Sequence, residues 1–331
     1  MPERDIVVIG ASAGGISALQ AIVRGLPADF PAAILVVLHL SRQSGGLLPE
    51  ILARAGALPA SNARHNEEIS AGHIYVAPPD RHLLIGPERR IYLGHGPKEN
   101  RFRPAVDPLF RSAALREGRK VIGVVLSGGL DDGSAGLYAI KRAGGLAMVQ
   151  DPSEAEVPSM PRNALQHVAA DYCASAEKIG EMLPILLRQA PVREMPAMSE
   201  DTRLEVELAA DERNQLDVTQ LGPPSPYTCP ACSGSLMRIG NAQPVRFRCH
   251  TGHAFTVMSL DDEQREKVEN AAWSAIRALQ EHALLLQEMI RLPGFSGEEI
   301  ADYAARAEQA LERATLLRET LAATPDKPDK D

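Results

Sequence analysis

The chain opens on an apolar run, Ile6-Val-Val-Ile9, that breaks into Gly10-Ala-Ser12-Ala-Gly14-Gly15 and resumes as the helical pattern Ile16–Gly25. A strand, a small-residue turn and a helix in that order constrain the fold strongly: they start a βαβ unit. The alternation then repeats. Strands are expected at Ile34–Leu38, His73–Ala77, Val121–Leu126 and Leu146–Gln150. Helices are expected over Gly46–Gly56, Pro108–Glu117, Gly133–Ala143 and Pro161–Ala169. His82–Ile85 and Arg90–Leu93 flank Gly86-Pro87 as a hairpin. The expected fold is α/β, a doubly wound and mostly parallel sheet with helices on both faces, Rossmann-like and three-layered.

Charge divides the chain. Residues 1–190 hold 20 basic and 19 acidic side chains; residues 191–331 hold 15 and 24. Such a balance argues against nucleic acid as a partner, because phosphate binding needs a cationic surface. No apolar run reaches the roughly 18 residues of a membrane span, and the start lacks the pattern of a signal peptide. The expected location is therefore cytoplasmic, and the chain is not expected to be a membrane protein.

The order along the chain suggests five pieces: an α/β domain over 1–190, an acidic, proline-bearing linker over 191–226, a zinc-ribbon-like module over 227–257, a helical hairpin over 258–324 and a frayed tail over 325–331. Within the linker, Leu204-Glu-Val-Glu-Leu208 alternates as a strand would. Ser259-Leu-Asp-Asp262 offers a cap for the first hairpin helix, and Ser296-Gly-Glu-Glu299 a capping box for the second. Each helix carries one apolar stripe, so the two are expected to pack on each other or on a partner, as a homodimer or signalling contact. Trp273 lies on the first.

The turn reads G-x-S-x-G after a strand and before a helix, a context that presents a serine nucleophile at the carboxyl end of a sheet. A dinucleotide loop fits worse. It needs glycine where Ser12 stands, and an acid, not His39, at the end of the next strand. A capping serine in a plain glycine turn stays open on the motif alone. A serine nucleophile needs a base, and the base an orienting acid. His39 ends the second strand on the same sheet edge. Leu126-Ser-Gly-Gly-Leu-Asp131-Asp132-Gly133 brings two carboxylates there, either to orient His39 or to cap the next helix. The order Ser…His…Asp differs from that of the α/β-hydrolases.

Cys229-Pro-Ala-Cys232 followed by Cys249-His-Thr-Gly-His253 has nearly zinc-ribbon spacing. Three thiolates and one imidazole would close a tetrahedral structural Zn2+ site. Either His250 or His253 can complete it, and the C-x3-H turn through Gly252 favours His253. Arg238, Arg246 and Arg248 form a basic face expected to dock on acidic surroundings. Cys173 is expected to be a buried apolar residue.

Taken together, several colinear blocks over about residues 5–190 resemble the catalytic domain of chemotaxis protein-glutamate methylesterases, the CheB family. They are Ile9-Gly-Ala-Ser-Ala-Gly-Gly15, Val36-Val-Leu-His39, Gly72-His-Ile-Tyr-Val-Ala-Pro78, Arg103-Pro-Ala-Val-Asp107, the 126–133 loop, Gln150-Asp-Pro152 and Ser159-Met-Pro161. The resemblance implies Ser12 as nucleophile, His39 as general base and Asp132, rather than Asp131, as orienting acid. It implies backbone oxyanion donors near Ala13 and Gly129, and His82 and Arg103 near the substrate cleft. It further implies hydrolysis of glutamyl methyl esters on a methylated chemoreceptor-like protein, glutamine deamidation in some members, and no cofactor for catalysis. Ala13 and Gly129 depart from the family's usual Thr and Met. The catalytic fold begins near residue 5, so control by a preceding receiver domain is not expected within this chain. A signalling scaffold that binds through its C-terminal extension is the alternative.

Overall fold

The computed structural model describes residues 3–39, 46–189, 200–210, 218–239 and 244–323. The expected tail, 325–331, lies outside them, as do 191–199 and 211–217 of the expected linker. The chain divides into two compact units, Met1–Leu260 and Asp261–Asp331.

The first unit is built on β1 (Ile6–Ala11), α1 (Gly15–Arg24), β2 (Ala33–Leu38), α2 (Leu48–Ala55), β3 (Ala60–Asn62), β4 (Ile74–Val76), the hairpin β5 (His82–Ile85) and β6 (Ile91–Gly94), α3 (Val106–Glu117), β7 (Val121–Val125), α4 (Ser134–Arg142), β8 (Leu146–Gln150), α5 (Ser159–His167), β9 (Tyr172–Ala174) and α6 (Ala176–Leu186). Seven strands form one sheet in the order β3-β4-β2-β1-β7-β8-β9, and every pairing is parallel. β1 and β2 are buried at every residue. That is why they read as unbroken apolar runs: a parallel strand is covered on both faces.

The pleat sorts alternate residues to opposite faces. Ile6 and Val8 join Leu109, Phe110, Leu137 and Met160 of α3, α4 and α5. Val7 and Ile9 join Leu19, Ile22, Leu52, Ile179 and Leu183 of α1, α2 and α6. The chain winds outward from β1 one way, then returns to β7 and winds the other way. The reversal beside β1 is where open α/β sheets open a crevice at their carboxyl edge.

The structure departs from several expectations. Leu204–Leu208 belongs to a helix, α7 (Glu200–Ala210), and not to a strand or a linker. Leu204 and Leu208 are one helical turn apart and share an apolar cluster. Ala209 and Ala210 pack on Leu84 of β5. Glu205, one of the two polar residues of the apparent alternation, is fully buried. Burial therefore does not alternate, and the period-two pattern was accidental. Cys173 is exposed, because β9 is a three-residue edge strand.

β10 (Pro224–Thr228), β11 (Ser235–Arg238), β12 (Arg246–Cys249) and β13 (Ala254–Thr256) form a small sheet in that order, antiparallel throughout. It belongs to the same compact unit as the large sheet. α8 (Val257–Arg291) leaves it directly. The cap of α8 lies one turn before the expected Ser259: the Ser259 N–H donates to Thr256 Oγ1 at 3.1 Å, and the Thr256 N–H returns to Ser259 Oγ at 2.9 Å.

In the second unit, α8 and α9 (Gly297–Ala323) share a cluster of Ala283, Leu286, Ala307 and Ala310. The Ser296 and Glu299 side chains each take the other's backbone N–H, at 3.3 and 2.7 Å. Trp273 is half exposed. Among the described residues, no helix is long and apolar enough to cross a membrane.

Candidate active site

Three neighbouring strands deliver three side chains to one edge. Ser12 follows β1, His39 follows β2, and Asp132 lies in the loop after β7. Backbone bonds extend the ladder through that edge: the His39 N–H donates to Ala11 O at 3.1 Å, and the Ser12 N–H to Ser127 O at 2.9 Å. Gly14 opens α1 at φ 72°, a left-handed conformation that glycine adopts freely. Gly128 is needed for room, since a Cβ there would lie 2.7 Å from the Ser12 Cβ and 2.1 Å from Met160 Sδ.

His39 Nε2 lies 2.8 Å from Asp132 Oδ2, with both side chains 2% exposed. Asp132 is ringed by donors. The Val106 N–H reaches Oδ2 at 2.7 Å. Asn100 Nδ2, the Gly133 N–H and the Asp107 N–H reach Oδ1 at 3.0, 3.0 and 3.2 Å. Val106 and Asp107 begin α3, so a helix N-terminus faces the carboxylate. Burial alone would push the Asp132 pKa up. His39 and the ring of donors outweigh it and hold the carboxyl below its ordinary value. An ionised carboxylate only accepts, so Nε2 carries the proton. Nδ1 is left with its lone pair; it is buried and has no hydrogen-bond partner among the described residues. Phe102 lies flat on the imidazole, ring centroids 3.7 Å apart and planes 8° apart.

Ser12, Ala13 and His39 line a cavity of about 760 Å³, together with Lys98, Arg101, Phe102 and Arg103. Arg103 is held by Asp80 Oδ1 at 2.7 and 2.9 Å, and by Gly96 O at 2.8 Å. Gly129 stands in the open, where a Cβ would meet nothing within 4 Å. His82 does not reach the cavity. It is fully buried, with Nε2 donating to Pro97 O at 2.9 Å and Nδ1 accepting from the Ala105 N–H at 3.3 Å. Inward-facing β5 needs a side chain to satisfy those loop groups, and burial pushes its pKa down.

Two further acids crowd the site. Asp107 is pushed up to about 7 by burial and by Asp132. Asp131 meets Thr256 rather than His39, with Thr256 Oγ1 donating at 2.7 Å. Burial, with help from Asp132, raises Asp131 to about 6. Asn100, Phe102 and Lys98 were not anticipated. The one sequence signal was the basic and aromatic run Lys98-Glu-Asn-Arg-Phe-Arg103.

In the small sheet, the Cys229, Cys232 and Cys249 Sγ atoms and a His253 nitrogen all lie within 4.8 Å of one another. Cys232 and Cys249 Sγ are 3.5 Å apart, as are Cys249 Sγ and His253 Nδ1. A tetrahedron with bonds of about 2.3 Å has edges near 3.8 Å, so this set could hold a zinc ion. His250 is exposed and outside the group.

A parallel α/β domain that places a serine and a histidine on one cavity at the carboxyl edge, with the histidine bonded to a buried aspartate, has the layout of a hydrolase-like class. The CheB methylesterase family model matches residues 7–183, and the chain belongs to that family. A Leptospira interrogans protein, provisionally named protein-glutamate methylesterase/protein-glutamine glutaminase, is 42% identical over 178 residues, 54% of this chain and 92% of that protein. The Anaeromyxobacter dehalogenans protein-glutamate methylesterase/protein-glutamine glutaminase 2 is 42% identical over 184 residues, 56% of this chain and 54% of its own length. The crystal structure of the Thermotoga maritima CheB methylesterase catalytic domain superposes with a TM-score of 0.54 at 35% identity, covering 55% of this chain and 98% of that one.

Proposed function

We propose that the chain is a protein-glutamate methylesterase, with Ser12 as nucleophile, His39 as general base and Asp132 as its orienting acid. The observation that carries this is the buried His39–Asp132 hydrogen bond beside Ser12, in a member of this family. Ser12 Oγ attacks the ester carbonyl and passes its proton to His39 Nδ1. His39 returns the proton to the leaving methoxide, so methanol departs and an acyl-enzyme remains. Water, deprotonated by the same nitrogen, then adds to the acyl carbonyl; the Ser12 Oγ–C bond breaks, His39 returns the proton to Ser12 Oγ, and the glutamate carboxylate is released. Backbone N–H groups near Ala13 and Gly129 would receive the oxyanion.

The substrate is a protein glutamyl methyl ester, as the relatives' names support, carried on a chemoreceptor-like protein; glutamine deamidation follows the same path with ammonia leaving. Arg103 lines the cavity wall that such a protein would meet. The Cys229, Cys232, Cys249 and His253 set holds a structural zinc ion and takes no part in the chemistry, and reduced thiolates suit a cytoplasmic protein. Methanol release from methylated chemoreceptor membranes tests the activity. Release by the wild type and none by Ser12→Ala is expected; equal release by both would sink the reading.

A further inference from the structure

Residues 98–103 join the small sheet to the catalytic edge. Their backbone is pinned by β13: the Asn100 N–H donates to Ala254 O at 2.9 Å, and the Ala254 N–H to Lys98 O at 3.3 Å. Their side chains divide. Glu99 pairs with Arg111 of α3 and, at 2.8 Å, with Arg248 of β12. Phe102 backs His39. Asn100 lies between two sets of partners. Its Nδ2 donates to Asp132 Oδ1 at 3.0 Å and Asp107 Oδ2 at 3.1 Å. Its Oδ1 accepts from the Thr256 N–H and the Ser259 hydroxyl, each at 3.1 Å.

This arrangement has one good orientation. Turned over, the Asn100 amide would set its oxygen against two carboxylates and its NH2 against two donors. Half of that preference comes from Thr256 at the end of β13 and Ser259 in the first turn of α8, which no part of the α/β domain supplies. The loop that backs the imidazole and donates to its carboxylate is therefore aligned from outside that domain.

We propose that the C-terminal module positions the catalytic pair. Thr256 and Ser259 orient Asn100, and the 98–103 segment carries that alignment through Asn100 and Phe102 to Asp132 and His39. Asn100, Thr256 and Ser259 are positioning residues, since none of them touches the reacting atoms. The inference rests on the hydrolase reading of Ser12.

The test uses the full chain and a fluorescent fluorophosphonate. Ser12 Oγ forms a bond to phosphorus, the P–F bond breaks, fluoride leaves, and the serine proton goes to His39. The probe yields kinact and KI separately, whatever the natural substrate. Misplacing reacting groups by about an ångström costs on the order of a hundredfold in rate. Asn100→Ala is expected to lower kinact by about that factor. Ser259→Ala, which removes one of two donors, is expected to lower it about tenfold. KI and Tm should stay near wild type in Ser259→Ala, a split that a merely structural role would not give. Should Asn100→Ala fail to fold, Ser259→Ala decides alone. Wild-type kinact in Ser259→Ala overturns the proposal, and so does a loss carried by KI. A wild type that is not labelled, or labelling that persists in Ser12→Ala, overturns the hydrolase reading and this inference with it.

Discussion

The large sheet and the small one are held by different mixtures of forces. The large sheet is closed on both faces by aliphatic side chains from six helices. The small sheet meets α7 through a small apolar cluster, Leu204 and Leu208 with Met237 and Ile239, and meets both α7 and the α/β domain through buried charges. Arg246 and Arg248 reach Glu205 Oε1 at 2.6 and 3.1 Å, and Arg248 also reaches Glu99. Arg248 and Glu205 are fully buried. Burial would push both glutamates up in pKa, but the arginines around them hold both carboxyls below the ordinary range. Apolar contact is tolerant: it survives substitutions that conserve volume. A buried ion network is not, because losing one partner strands the rest. The catalytic pair lies where these two kinds of packing meet, so perturbing each side should give different signatures.

The largest effect is expected at the pair itself. In Asp132→Asn the amide can donate to His39 Nε2, which would move the ring proton to Nδ1 and remove the base. If the oxygen faces His39 instead, the NH2 meets the N–H groups of Gly133 and Asp107 and the Asn100 amide. Either way the loss should be about 10⁴-fold in kcat by analogy with other serine triads. Methanol release gives the rate, and thermal unfolding separates it from lost stability. A variant within tenfold of wild type would mean that Asp132 only caps α3.

Next comes the ionic interface. Glu205→Gln takes the carboxylate from Arg246 and leaves Arg248 with Glu99 alone, and should destabilise the first unit by about 3–5 kcal/mol. Leu35→Ala in the centre of the large sheet should cost about 2–5 kcal/mol through its cavity. The contrast is in what is released. Leu35→Ala should lower the whole transition. Glu205→Gln should raise hydrogen exchange first in β12 and β13, and slow fluorophosphonate labelling of Ser12. Equal protection of both sheets in both variants would break the comparison.

The same contrast sets how much the sequence disclosed. Ile6–Ile9 and Ile34–Leu38 were legible because a strand buried on both faces leaves an apolar run, and the glycine turns marked where Ser12 and Asp132 would stand. α7 was not legible. Its docking surface includes Glu205, which looks like a solvent-facing residue until arginines forty residues later fold over it. β3 and β9 are short edge strands that stay partly exposed and so leave no apolar run, whereas β4, equally short, is buried throughout. His82 was drawn to the cleft by its place in a matching block, yet its side chain turns inward to Pro97. Asn100 gave no signal beyond its place in the basic and aromatic run 98–103. Its partners are Asp132, Thr256 and Ser259, and only the folded chain brings them together.

The smallest effect lies at the seam between the two regions, and pH exposes it. Asp131 is raised from 3.8 to about 6 by burial, with help from Asp132. Between those values the folded state keeps a proton that the unfolded chain has lost. Stability from this group is therefore present below pH 4 and lost as pH rises through about 6. Asp131→Asn cannot ionise, and its oxygen can still accept the Thr256 hydroxyl. The variant should match wild type near pH 4 and gain on it up to about pH 7.5, by at most about 3 kcal/mol for a shift of roughly two pKa units. Asp107, which also titrates high, is present in both proteins and largely cancels in the difference. Thermal unfolding of the two at several pH values measures it. A difference that stays flat with pH would mean that Asp131 ionises normally, and so that water enters between Thr256 and the aspartate loop. The small sheet would then be a looser neighbour of the catalytic edge than its buried arginines imply.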